Sequence, residues 1–145
     1  MEIPTYISIE EVQRVCKELG FSDWTQSNGE VDPDEARRLQ ELIGEEAAQI
    51  PLHAFTQGLE VELEHGRQFS SANVTNNHPL LTGMIVLAHL KETLDYYSRL
   101  EVAELEGDLA KALRRQDGAK AARIYARLAE ARAQLANLEA AQAKA

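Results

Sequence analysis

The sequence contains a single cysteine, one tryptophan and only 6% aromatic residues in a chain of 145. One cysteine cannot form a disulfide within the chain, so no disulfide framework supports the fold. Cys16 falls on an apolar helical stripe with Val15 and Leu19, which predicts a buried and inert thiol. Tyr96 and Tyr97 are adjacent but not interleaved with basic residues, so they do not resemble a stacking platform for single-stranded nucleic acid.

Long apolar runs are absent as well. No segment approaches the length that spans a bilayer, and residues 1–6 have neither the basic nor the apolar region of a cleavable signal. We therefore expect a cytoplasmic location and no membrane partner. The sequence also has no Walker loop, no dinucleotide-binding glycine pattern, no cysteine pair for zinc and no serine in a nucleophile elbow. These absences argue against the common nucleotide-dependent and serine-hydrolase classes.

The net charge of −9 is spread unevenly. Residues 1–100 contain 17 acidic and 7 basic residues, a net charge of −10, whereas residues 101–145 contain 7 acidic and 8 basic residues, a net charge of +1. Nucleic acid does not suit the acidic part as a partner. A local basic cluster in the second part is interpreted as the solvated face of a helical hairpin: Arg114, Arg115, Lys120, Arg123 and Arg127.

Helix-capping residues and apolar periodicity predict an all-α fold. Ser8 and Glu11 have the spacing of a capping box, and Gly20 ends the helix that they begin. Asp32 caps a second helix that has Pro33 at its first position and reaches residue 43. Further along, two more helices are predicted by proline and by apolar patterning.

The third helix begins at Pro51, and Gly66 is expected to end it. A polar loop follows over residues 67–78. Pro79 then begins a fourth helix that is apolar almost all round, which is typical of a central helix packed on several sides. We expect residues 1–100 to form one compact helical domain.

The last third of the chain has two heptad patterns separated by a turn at residues 114–118. Val102, Leu105 and Leu109 step by three and four residues, and Ile124 and Leu128 begin the same spacing after the turn. This pattern predicts an antiparallel coiled-coil hairpin over residues 101–145. Two-helix contacts of this length are marginal, and alanines and Tyr125 add apolar surface, so we expect a homo-oligomer or a protein partner through this segment. On this interpretation Leu128→Glu weakens the assembly.

The segment between Gly58 and Leu100 holds most of the side chains that could carry chemistry. Glu62 lies at the border of the apolar stripe of the third helix, so it is expected to face inward. Glu62 with His65, and His89 with Glu92, are spaced three apart, so each pair shares a helical face. A zinc or iron site that uses Glu62, His65, His89 and Glu92 is one hypothesis. The alternatives are a histidine that ends a helix, for His65, and a buried hydrogen bond to a Glu or Tyr, for His89.

Several short segments of this region resemble a family. VELEHG, NVT followed by a Pro-Leu-Leu-Thr-Gly helix start, and AHLKE running into DYYSRL are similar to DUF5661, a family of uncharacterised bacterial and bacteriophage domains. The resemblance implies no known activity, and it allows a virion-associated location if a phage encodes the chain. The residues that carry it are Glu62, Glu64, His65, Gly66, Asn73, Thr75, Thr82, His89, Glu92, Asp95, Tyr96 and Tyr97. Where the family tends to have two acidic residues after NVT, this chain has Asn77 and His78, which removes two carboxylates from any family-wide metal site.

Two functions are therefore weighed. The leading interpretation is a helical interaction or assembly protein, such as a phage or prophage structural component, that presents the hairpin 101–145. The alternative is a metal-dependent enzyme with hydrolytic chemistry at the His/Glu site between two helices.

Overall fold

The computed structural model describes residues 5–144, and every regular element in that range is helical. The α-helices are α1 (Ile9–Leu19), α2 (Pro33–Ile43), α3 (Glu45–Ala48), α4 (Leu52–Gln68), α5 (Pro79–Glu92), α6 (Tyr96–Arg114) and α7 (Gly118–Gln142). Short 3₁₀ turns lie at Trp24–Gln26 and Ser70–Ala72. The predicted all-α class with a C-terminal hairpin is confirmed. No helix in the described range is long and apolar enough to cross a membrane.

The chain divides into two units, the first ending at Leu94 and the second beginning at Asp95. In the first unit, α2, α4 and α5 contact one another, and α1 contacts α5. Its core consists of fully enclosed apolar side chains from these helices and from the loop after α1, among them Val12, Trp24, Leu39, Phe55, Leu59, Leu63 and Val86. This core places the end of α4 beside the start of α5.

Both predicted helix starts are confirmed. The Ser8 side chain accepts a hydrogen bond from the Glu11 amide, and Gly20 ends α1 with a φ of 72°. Asp32 caps α2 by accepting from the Asp34 amide. Glu35 has a role beyond the helix start, since its carboxylate accepts hydrogen bonds from Ser22 and from the Trp24 indole and so fixes the preceding loop.

The predicted end of α4 at Gly66 is wrong. The helix continues through Gly66 to Gln68. A Cβ atom at Gly66 would overlap the side chain of Asn77 and lie 2.7 Å from Asn73 Nδ2. The missing side chain therefore allows a loop to approach the helix closely.

The fourth predicted helix, α5, is not enclosed on all sides. Val86, Leu87 and Leu90 are buried, but Met84 is 52% exposed and Leu81 and Ile85 lie on the same open side. An apolar face of α5 is thus uncovered within this unit. The prediction of a helix packed on several sides is wrong on that face, since a composition that is apolar all round does not tell which side receives a neighbour.

In the second unit, α6 and α7 pack along each other as an antiparallel pair, and the connecting turn has Gln116 at a φ of 56°. Asp117 caps α7 by accepting from the Lys120 amide. The shared core is small: Leu105, Ala112, Ala121, Ile124, Leu128 and Ala131, with Val102 and Leu109 packed against it. Leu128 belongs to this core and is 2% exposed. Leu128→Glu therefore tests the hairpin itself and not a surface between copies.

Candidate functional site

Two polar side chains from neighbouring helices meet in the first unit. Glu62 of α4 faces α5, and its Oε1 atom lies 3.8 Å from Nε2 of His89. The Glu62 side chain is only 18% exposed, in agreement with its predicted inward position. His89 is 32% exposed, so its ring sits at the border of the core and not inside an enclosed helix as predicted.

Beside this pair, a cleft of about 320 Å³ opens between the end of α4, the following loop and the start of α5. It has polar and apolar walls. The lining residues are Glu62, His65, Gly66, Phe69, Ala72, Asn73, Val74, Thr75, Thr82 and Ile85. Volumes of this order, with mixed lining of this kind, are typical of small-molecule sites.

The loop wall of the cleft is held by side-chain amides. Asn73 Nδ2 donates to Asn77 Oδ1 at 2.9 Å, and Thr75 Oγ1 donates to Asn73 Oδ1 at 3.1 Å. Asn76 and Asn77 both have left-handed backbone conformation, with φ of 47° and 63°. Asparagine tolerates this conformation better than most residues, so the NNHP sequence folds the chain back against Gly66.

Further hydrogen bonds tie the same loop to the N-terminal part of the unit. Asn76 Nδ2 donates to the carbonyl of Ile7 at 2.6 Å, and Asn77 Nδ2 donates to the carbonyl of Trp24 at 3.4 Å. His78, the next residue, is 8% exposed. Burial lowers its pKa, against the opposing effect of Glu11. The cleft wall is thus anchored at several points and preformed.

The four residues predicted as metal ligands are only partly brought together. Glu62 contacts His89, and Glu62 and His65 line the same cleft. Glu92 is the last residue of α5 and is exposed. Within residues 5–144 no three His, Cys, Asp or Glu side chains are placed as a group that could hold a metal ion.

The apolar side of the cleft was missed by sequence reasoning. Phe69 and Val74 are 54% and 76% exposed, and Ile85 completes this side. The Phe69 ring lies 6.4 Å from the His65 ring, which places it at the cleft mouth. A phenylalanine and a valine inside an otherwise polar loop were the available signal.

The cleft also gathers residues that carry the family resemblance. Six of those residues line it: Glu62, His65, Gly66, Asn73, Thr75 and Thr82. Cys16 does not line the cleft, and burial raises the pKa of its thiol, so it is not a reactive nucleophile of this site. The arrangement offers one carboxylate, two imidazoles and several hydroxyl and amide groups, which suits binding or proton transfer.

Comparison with known proteins places the chain in a family. Residues 12–106 match the model of a family described as "Protein of unknown function (DUF5661)". No curated protein and no solved structure matches the chain.

Proposed function

The chain belongs to the DUF5661 family, and from this premise we propose that it is an assembly protein in which a second copy docks on α7 of the hairpin. The observation that carries the proposal is an uncovered heptad face on that helix. The resemblance to bacterial and phage proteins adds the setting that we propose, a structural component of a phage or prophage assembly, with a cytoplasmic or virion-associated location.

Helix α7 has two lines of apolar residues. The inner seam faces α6 and contains the buried residues Ala121, Ile124, Leu128 and Ala131. The outer seam is exposed along its length and steps alternately by four and three residues: Ala122, Ala126, Ala129, Ala133, Ala136 and Ala140. Tyr125, which is 62% exposed, lies beside it. This spacing is typical of a helix that packs against a second partner helix through its outer seam.

The charges beside the outer seam are complementary in an antiparallel pair. Ion pairs join α6 to α7, among them Arg99 with Glu139, Arg127 with Glu101 and Arg132 with Glu106. Arg123 and Glu130 follow seam residues directly, and neither has an ion-pair partner within residues 5–144. These two residues are one heptad apart and opposite in charge. In an antiparallel pair of α7 helices, each can therefore form an ion pair with the other residue of the second copy.

The heptad positions select one register. When Ala126 lies opposite Ala129 of the second copy, Arg123 flanks Glu130 of the second copy, and two-fold symmetry repeats this pair. The same register places Tyr125 beside Arg132 of the second copy, where a cation–π contact can form. A shift of one heptad would instead bring Ala129 opposite Ala133 of the second copy. In that register Glu130 lies near Glu130 of the second copy, and the two negative charges repel each other.

The hairpin core is small and thinly packed. Half of its six buried residues are alanines, and isolated short helical pairs are marginal in water. A second hairpin docked on the outer seam would extend the two-helix layer to a layer of four helices and would cover both faces of α7.

Light scattering and sedimentation of the full chain test the proposal. We expect a mass of twice 16.1 kDa at high protein concentration. Ala129→Glu should weaken association by about tenfold or more, because it places a charge in the seam. The matched control is Ala103→Glu, the same substitution at an exposed alanine of α6.

Charge reversal tests the register. Arg123→Glu and Glu130→Arg should each weaken the dimer, and the double variant should recover it, since the pairs are then restored in reverse. If these changes leave the dimer unaffected, self-assembly is retained as a proposal and this register is rejected. A 16.1 kDa monomer at all concentrations would leave only a different protein as partner for the hairpin.

A second candidate function is a metal-dependent hydrolytic enzyme, favoured by the approach of His89 to Glu62. Binding of zinc or iron would require His65 or Glu92 to move toward this pair, since no such group of three is in place in the described residues. Metal analysis of protein purified without an affinity tag tests it. Stoichiometric zinc or iron that is lost in His89→Ala would support the enzyme, and metal-free protein would reject it.

A further inference from the structure

We propose that the cleft between the end of α4 and the start of α5 binds a small organic ammonium ion that carries an apolar group. The proposal is independent of assembly through α7, because all lining residues belong to the first unit.

The charge of the cleft gives the first argument. Among its described lining residues Glu62 is the one acidic side chain, and no lysine or arginine lines it. A phosphate or carboxylate ligand would therefore meet the negative charge of Glu62, with no lysine or arginine to offset it. A ligand with a positive charge gains a charge-assisted hydrogen bond to Glu62, which is stronger than one between neutral groups.

The apolar side gives the second argument. Phe69, Val74 and Ile85 form a mouth that is open to solvent. An apolar group on the ligand would cover these side chains and remove them from water. The Phe69 ring adds a preference for cations, because the face of an aromatic ring attracts a positive charge.

The cleft is also preformed. The loop wall is fixed by the hydrogen bond between Asn73 and Asn77 and by the close approach of both side chains to Gly66. A ligand consequently does not have to order this wall on binding, which lowers the entropic cost of association. The volume of about 320 Å³ suits a molecule with one small ring and a short chain.

The test uses 2-phenylethylamine as the probe and 2-phenylethanol as its neutral counterpart. Amide shifts in ¹H–¹⁵N spectra of the full chain are followed during titration with each compound. We expect saturable shifts around residues 62–75 and 82–85 with the amine, and about tenfold weaker binding of the alcohol, the effect of one lost charge-assisted contact.

Variants locate the contact. Glu62→Gln should reduce amine binding to the level of the alcohol, whereas Glu64→Gln, an exposed position on the same helix outside the cleft, should leave it unchanged. Phe69→Ala alters an exposed side chain and should weaken both compounds, which provides a test that does not depend on Glu62.

Three outcomes would overturn the proposal. The first is equal binding of the amine and the alcohol to the unmodified protein. The second is the absence of saturable shifts with either compound. The third is saturable binding of Zn²⁺ at the same amides, lost in His89→Ala and not competed by the amine, which would assign the cleft to a metal ion.

Discussion

Arg99 donates two parallel hydrogen bonds to the carboxylate of Asp95, from Nε to Oδ1 and from Nη2 to Oδ2, each 2.9 Å long. The Asp95 side chain is fully enclosed, while Arg99 is 48% exposed. Nη2 also lies 2.8 Å from Glu139 Oε1, so one guanidinium joins the start of α6 to the end of α7. The hydrogen bonds to Asp95 raise the pKa of Arg99 further, so the guanidinium stays charged.

Arg99→Leu should lower the free energy of unfolding by about 1.5–3 kcal/mol, because a buried carboxylate loses its charged donor. Urea unfolding followed by circular dichroism measures the change. Glu139→Leu is the control, since it removes only the exposed part of the network and should cost less than about 1 kcal/mol. Equal losses in both variants would contradict the special role of Asp95.

Gly66→Ala should destabilise the protein by about 1–3 kcal/mol, since the added methyl group overlaps Asn77 and crowds Asn73. This loss outweighs the gain of about 1 kcal/mol that alanine gives in a helix interior. Gly107→Ala is the matched control, because nothing lies within 4 Å of a Cβ atom there, and it should stabilise. Thermal unfolding of both variants distinguishes them, and a stabilising Gly66→Ala would show that the loop is not packed on α4.

His78 should make stability depend on pH in the weakly acidic range. Burial is the main cause of its lowered pKa; on α1, Arg14 adds to the lowering and Glu11 opposes it. The unfolded state then binds more protons than the folded state between the folded pKa and the unfolded value of about 6.5. The contribution of His78 is therefore complete above about pH 6.5 and is lost as pH falls through the folded pKa.

The measurement is the free energy of unfolding between about pH 7.5 and pH 5 for the unmodified chain and for His78→Gln. The variant should have a flatter profile in this window, because its side chain does not titrate. The buried Nδ1 atom of His78 has no hydrogen-bond partner in the described structure, so the substitution removes no bond at that atom. Identical slopes in the two profiles would contradict the prediction.

Leu128→Ala should cost about 2–5 kcal/mol, because the side chain is 2% exposed in the small hairpin core. Tyr125→Ala, one turn earlier on the same helix but at a side chain that is 62% exposed, should change the stability of dilute protein by no more than about 0.5 kcal/mol. Circular dichroism during thermal unfolding at low concentration measures both. A large loss from Tyr125→Ala under these conditions would mean that the tyrosine supports the hairpin itself.

The starts of α1 and α2 could be predicted because their signals are local. Ser8 and Asp32 satisfy amides two or three residues ahead, and Gly20 adopts a conformation that few other residues accept. The hairpin was predictable for a similar reason, since both heptad arms and their turn lie within one continuous stretch of sequence.

The helical conformation of Gly66 and the exposed face of α5 could not be predicted, because both depend on residues that are distant in sequence. A glycine near a helix end reads as a stop, and only the folded loop shows that Asn73 and Asn77 require the missing side chain. Which face of α5 is exposed, here the one with Met84, depends on which helices pack against it. An apolar composition does not give this information.

The site shows the same division. The inward position of Glu62 follows from the apolar stripe of its own helix, and its approach to His89 requires only that two consecutive helices pack together. The cleft mouth of Phe69 and Val74 depends on the path of the loop, which is set by the left-handed conformations of Asn76 and Asn77. Sequence periodicity does not describe such a path.

The alanines of the outer seam bear on how firmly two copies can hold together. Alanine has no side-chain rotamers to lose when a surface becomes fixed, but each methyl group removes little area from water. Contacts of this kind form at low entropic cost and also separate readily. Pairing of α7 helices would therefore be weak when the protein is dilute. It would become stable where several copies are held on a common scaffold, because tethering raises the effective concentration of each neighbour.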